Sequence, residues 1–182
     1  MRLAQPGIPE HTLVSAFEYH CSLAGSLRPA YVPVCASGLN SMYLHYTSNN
    51  SLLPSSSSDS LVLLDAGCEF ASYAADITRT FPVSGTFTPA QKDLYTAVLN
   101  TVKSCVGLCT EKETANLYDL HEKSRNVLVQ ELKQLGSGFS SIDKEGKLFA
   151  RIYPHFIGHP LGLDLHDCPT FQRHMPCVAF IP

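Results

Sequence analysis

Two apolar, β-prone runs that each carry an aspartate constrain this chain more than any other feature: Leu61-Val-Leu-Leu-Asp65 and Asp76-Ile-Thr-Arg-Thr-Phe81. A carboxylate set into such a run is poor core material, because a buried charge is costly unless paired or coordinated. Between them, Gly67 to Ala75 is rich in small residues and short enough for a hairpin. A turn centred between Phe70 and Ala71 places Asp65 directly opposite Asp76, with Cβ atoms about 5 Å apart. Like charges that close push one proton back on unless a cation sits between them. Divalent Mn²⁺, Co²⁺ or Zn²⁺ suits such a pair. The competing reading is two unrelated aspartates at strand ends.

A second cluster follows in His155-Phe-Ile-Gly-His159-Pro-Leu-Gly-Leu-Asp-Leu-His166-Asp167. Pro160 lacks an N–H and restricts the residue before it, so a regular helix through His159 is disfavoured. A glycine-punctuated loop can aim imidazoles into a cleft. One would serve as a ligand, while others move protons or meet a developing negative charge. Read without the aspartates, the same histidines are surface or capping residues.

The aspartate context, Val62-Leu-Leu-Asp65-Ala-Gly-Cys-Glu69 and Tyr73-Ala-Ala-Asp76-Ile-Thr-Arg-Thr-Phe-Pro-Val-Ser-Gly85, together with His155 to Asp167, resembles the aminopeptidase P (Xaa-Pro aminopeptidase) group of the pita-bread metallopeptidases. The likeness is nearest to the Xaa-Pro aminopeptidase 3 type, which includes the mitochondrial intermediate-cleaving peptidases. It runs from near Phe17 to about Phe171. It implies an α/β (α+β) fold, an incomplete pita-bread with an antiparallel sheet and packed helices. Residues 1–16 are expected as a poorly defined leader and 17–182 as a partial catalytic domain.

The resemblance also implies roles. Asp65 matches the ligand of one metal, Asp76 the carboxylate bridging both, and His159 the histidine on the second. His155 and His166 match histidines beside the metals that contact substrate or relay protons. His45, in Leu44-His45-Tyr46-Thr47, matches a further substrate-side histidine, although alone it reads as a half-exposed strand residue. The implied cofactors are two divalent ions, with Mn²⁺ preferred. The implied substrate is a peptide or protein N-terminus, and the reaction is removal of its first residue, often before proline.

Two glutamate ligands that complete the family site have no counterpart, since no residue after Asp167 is acidic. Three of five ligands remain, so the expectation is a truncated form with weak or absent activity. The alternative is a catalytically inactive pita-bread domain that binds peptides or proteins.

Charge and composition exclude other classes. A net charge of −3 leaves no basic footprint for nucleic acid or a membrane surface. The first residues hold Pro6, Pro9 and one basic residue, Arg2, so neither a signal nor a transit peptide is read there. The expected setting is cytoplasmic, with a mitochondrial destination for a full-length form; an oligomer is compatible with the sequence. Seven cysteines form no Cys-x2-Cys pair, which points to reduced thiols. Asn49-Asn50-Ser51 matches the glycosylation triplet but carries little weight.

Elsewhere the pattern predicts a helix through Phe17–Ala24, strands over Tyr31–Ala36 and Tyr43–Thr47, and a serine-rich surface loop at 54–59. Thr88, Pro89 and Gln91 mark a helix start, and Leu94, Val98, Val102, Val106 and Cys109 form its expected buried stripe. Thr114 is the expected cap of a second helix. Its predicted buried face is Leu117, Leu120, Leu128, Leu132 and Leu135, with Gly136 as terminator.

Overall fold

The computed structural model describes residues 3–54, 60–110, 113, 116–136 and 138–168. The serine-rich segment at 55–59, Thr114 and everything beyond Cys168 lie outside the described residues. The chain divides into two compact units, residues 1–88 with 160–168, and residues 89–159 with 169–182.

The first unit opens with α1 (Glu10–Leu23), so helix begins ahead of the domain start expected at residue 17. Pro9 stands just outside it, and the buried Glu10 and Leu13 tie its first turn into the unit. Then come β1 (Arg28–Pro29), β2 (Val34–Ser37), a 3-10 turn (Gly38–Met42), β3 (Leu61–Ala66), β4 (Cys68–Phe70), β5 (Tyr73–Ala74) and β6 (Ile77–Pro82). They form two antiparallel sheets ordered β1-β4-β5 and β2-β3-β6. Leu13, Cys35, Leu53, Val62, Phe81 and Val83 make the core between α1 and the longer sheet.

Glu10 anchors this unit although it is fully buried. Its Oε1 accepts from the Ser37 N–H at 2.8 Å, the Ser37 hydroxyl at 2.7 Å and Asn40 at 3.2 Å. Its Oε2 accepts from the Tyr46 hydroxyl at 2.9 Å and the Ser51 N–H at 3.1 Å. Burial pushes the carboxyl's pKa up, but the hydrogen bonds from Ser37, Asn40 and Ser51 outweigh it and hold the value below the usual glutamate range. Asn49 is likewise built in. Its side chain accepts from the Cys35 N–H at 2.7 Å and donates to the Pro33 carbonyl at 2.8 Å, and its φ is +48°. The Asn49 side chain is thus committed to the backbone at Pro33 and Cys35.

The expected Tyr43–Thr47 strand is absent; a turn and an irregular segment after the 3-10 turn occupy that stretch, because Tyr46, Asn49 and Ser51 bond to Glu10 and the backbone at Pro33 and Cys35 instead of a strand ladder.

The second unit is helical: α2 (Pro89–Leu108), α3 (Leu117–Gln134) and α4 (Lys147–Ile152). Asn116 caps α3, its side chain accepting from the Asp119 N–H at 2.9 Å. Gly136 follows α3 with φ +90°, the left-handed stop that glycine allows. The buried face of α2 is Ala97, Thr101 and Cys105, not the expected stripe. Leu94, Val98, Val102 and Val106 are exposed, since both rows repeat every four residues and the smaller one lets α2 and α3 approach closely. On α3, Leu117, Leu120 and Leu132 are buried, but Leu135 is 37% exposed at the frayed end. After α3 comes α4, whose Phe149 completes a core with Ala97, Leu132 and Ile142.

Candidate functional site

The Asp pair owes its position to how the β3–β6 hairpin is built. Ala71 (φ +49°) and Ser72 (φ +70°) form the two-residue turn, so Phe70 pairs with Tyr73 and Asp65 pairs with Thr78. The register expected from sequence, Asp65 opposite Asp76, is therefore off by two. A shift of two keeps side chains on the same face, so Asp76 is a diagonal neighbour of Asp65 on one surface of the hairpin.

Gly67 allows the pair to close. A Cβ there would lie 1.6 Å from the Ala75 carbonyl oxygen and 3.1 Å from the Asp76 N. The strands cross at van der Waals contact at this point, where the ladder passes from one sheet to the other. Ala30 N–H donates to the Gly67 carbonyl at 2.9 Å and Ala75 N–H to the Cys68 carbonyl at 3.1 Å, fixing both sides of the crossing.

Tyr31, in the bend between β1 and β2, completes the site. Its hydroxyl bonds Asp65 Oδ1 and lies 3.0 Å from Asp76 Oδ1. A phenol has one proton to give, so its two acidic neighbours compete for it and also hydrogen-bond each other. Burial raises the Asp65 pKa first of all. The Tyr31 and Thr78 hydrogen bonds oppose that, while the charge of Asp76 and the bond shared with it add to it; the net direction is up. Burial, then the bond to Asp65 and both carboxylate charges, pushes the Tyr31 phenol far above its ordinary range. Two half-buried carboxyls close enough to share a proton are a good fit for a divalent cation, whose charge would replace that proton.

The histidines fall differently. His45 stands exposed on the turn after the 3-10 segment. The loop bearing His166 belongs to the first unit and is tied to the aspartate hairpin through Ala74 N–H donating to the Gly162 carbonyl at 2.8 Å. That loop closes on itself through Asp167 N–H to the Pro160 carbonyl at 3.2 Å, with the Asp167 carboxylate packed where a Gly162 Cβ would be. His166 is exposed on it. His155 and the half-buried His159 belong to the helical unit. His155 Nδ1 is 2.8 Å from the Phe156 carbonyl oxygen, which holds the ring to its own backbone. Among the described residues no group of three or more His, Cys, Asp or Glu gathers at metal-ligand spacing. The structure thus brings Asp65 and Asp76 together. Tyr31 was missed from sequence; its only signal is a tyrosine between Pro29 and Pro33 in a chain leading into β2.

Comparison with known proteins bears on this geometry. The family description "Metallopeptidase family M24" matches residues 1–178. "Intermediate cleaving peptidase 55" of Saccharomyces cerevisiae is 46% identical over 168 residues, 92% of this chain and 31% of the relative. Human "Xaa-Pro aminopeptidase 3" is 39% identical over 170 residues, 93% of this chain and 32% of the relative. A crystal structure of Icp55 from S. cerevisiae superposes with a TM-score of 0.85 at 43% identity, covering 96% of this chain and 42% of that one. The chain spans about a third of the length of the curated relatives it matches. The antiparallel sheets and packed helices are those of the pita-bread fold.

Proposed function

The chain belongs to metallopeptidase family M24, and from that premise we propose that it carries the first part of a metal-dependent aminopeptidase site acting on peptide N-termini, with preference for a proline in second position. The observation that carries this reading is the Asp65–Asp76 pair held by one tyrosine hydroxyl. Asp65, Asp76 and His159 are the metal ligands in this reading, and two ions, Mn²⁺ by preference, are the cofactors. Bound there, the metal supplies Lewis-acid polarisation of a carbonyl and acidifies water. Tyr31 keeps both carboxylates aimed at one point. In this reading His166, on the loop fastened to Ala74, would hydrogen-bond the oxygen that gains charge as the peptide bond is attacked. His155 and His45 are the remaining candidates for carrying the proton to the departing amine, which a proline nitrogen needs.

This reading names three donors, Asp65, Asp76 and His159. Weak metal binding and slow turnover are expected of three donors alone. A second reading, carried by the resemblance, is a peptide- or protein-binding module without catalysis. Release of the first residue from an Xaa-Pro peptide in Mn²⁺ separates the two. Slow release that disappears in Asp76→Ala supports the peptidase. Peptide binding with no release, unchanged in Asp76→Ala, supports the module.

No helix among the described residues is long and apolar enough to cross a membrane. A cytoplasmic setting for this form, and a mitochondrial one for a full-length form, remain part of the proposal.

A further inference from the structure

A pair of cysteines lies on the face of the hairpin away from the aspartates. α1 ends at Leu23, and the chain turns through Gly25 (φ +94°) into β1, whose Pro29 pairs with Cys68 of β4. That return puts the last turn of α1 over the start of β4. Ser26 N–H donates to the Cys21 carbonyl at 3.0 Å, and the Ser26 hydroxyl donates to the Glu69 carbonyl at 2.8 Å, stitching the two together. Cys21 and Cys68 line one cavity of about 140 Å³ with Phe17, Ser22 and Ser26. Both are partly exposed and unoxidised.

The other described cysteines lack this arrangement. Cys35 is fully buried in the core. Cys105 is 6% exposed, and Cys109, just past the end of α2, turns its thiol back to the Cys105 carbonyl. Cys168 is an exposed free thiol at the end of the loop bearing His166.

We propose that Cys21 and Cys68 are a redox-modification site that closes to a reversible disulfide, clamping the end of α1 to the strand that follows Asp65. A peroxide is the oxidant class. The Cys68 sulfur takes one oxygen from hydrogen peroxide, giving a sulfenic acid and water. The Cys21 sulfur then attacks it, the S–O bond breaks, and the oxygen leaves as a second water with the thiol's proton. Two thiols and one peroxide become one disulfide and two waters. Burial, then its interaction with Cys68, pushes the Cys21 thiol up to about 11, so it attacks through its small thiolate fraction while its proton leaves with the departing oxygen. A dithiol reductant reverses the step. The bridge would close a long loop of intervening chain, the case in which a crosslink constrains the unfolded state most.

The test uses the whole 182-residue chain, reduced, freed of metal by a chelator, and treated with equimolar hydrogen peroxide. Peptide mapping without reduction is expected to recover a Cys21–Cys68 linked fragment as the dominant oxidised species, removed by dithiothreitol. Calorimetry is expected to show a higher melting temperature for the oxidised chain. Cys21→Ser should abolish the linked fragment and leave Cys68 as a sulfenic acid trapped by dimedone. Cys68→Ala, as an independent variant, should leave Cys21 unmodified at that dose, and Cys105→Ser should leave the linkage intact. Linkages to other cysteines at comparable yield, or over-oxidation of Cys68 in the parent chain without a bridge, overturn the proposal.

Discussion

Gly67→Ala isolates the geometry on which the aspartate pair depends. The added Cβ would meet the Ala75 carbonyl oxygen at 1.6 Å and its carbon at 2.5 Å, both backbone atoms that cannot swing away as a side chain end would. Real contacts of this kind start near 3.0 Å, so the chain at Ala75 has to retreat. Three backbone bonds converge there: Ala75 N–H to Cys68 at 3.1 Å, Ala30 N–H to Gly67 at 2.9 Å, and Ala74 N–H to Gly162 at 2.8 Å. Forcing a methyl into a packed site costs about 1–3 kcal/mol, and losing one backbone bond adds about 1 kcal/mol. A total near 3 kcal/mol lowers the melting temperature by roughly 6–12 °C for a chain of this size.

Scanning calorimetry suits the measurement, because the chain has no tryptophan to follow by fluorescence. Gly107→Ala is the matched control. It sits exposed in α2, its Cβ would meet nothing within 4 Å, and the change should stabilise by up to about 1 kcal/mol through helix propensity. A second readout is Mn²⁺-induced stabilisation, which should shrink in Gly67→Ala because Asp76 moves with Ala75. Equal melting of parent and Gly67→Ala would refute the close crossing of the two strands, and with it the account of how the aspartates meet.

Two further outcomes follow from the polar interior. Glu10→Gln keeps the shape but turns an amide donor toward hydroxyl and N–H donors, which should cost about 3 kcal/mol at neutral pH. The folded pKa of Glu10 lies below its unfolded value, so its stabilisation is present above the unfolded value near 4.3. It is lost as pH falls through the folded value. Urea titrations from pH 7 downward should show parent and variant converging in acid, and a constant gap would exclude this role. Tyr31→Phe should destabilise the chelator-treated protein by about 1–2 kcal/mol, since it removes the hydroxyl between two carboxyls. Saturating Mn²⁺ should recover part of that loss by taking the hydroxyl's place; identical deficits with and without the ion count against a cation site there.

The sequence exposes some of this architecture because local chemistry dictates it, and hides the rest where the outcome depends on partners distant along the chain. Pro89 and Gly136 fix helix ends by backbone geometry alone, so α2 begins and α3 stops where the residues say. The face that α2 buries is not local: Leu94–Val106 and Ala97–Cys105 recur with the same period, and only the approach of α3 decides between them. The hairpin shows the same division. Apolar strands and small residues announce it, but its register turns on Ala71 and Ser72 adopting positive φ, which neither residue favours by itself. An error of two residues left both aspartates on one face because strand side chains alternate with a period of two; an error of one would have separated them. Tyr31 escaped for the reason Glu10 did. Each acts through partners more than twenty residues away, and that distance is set by the fold and not by any spacing the chain displays.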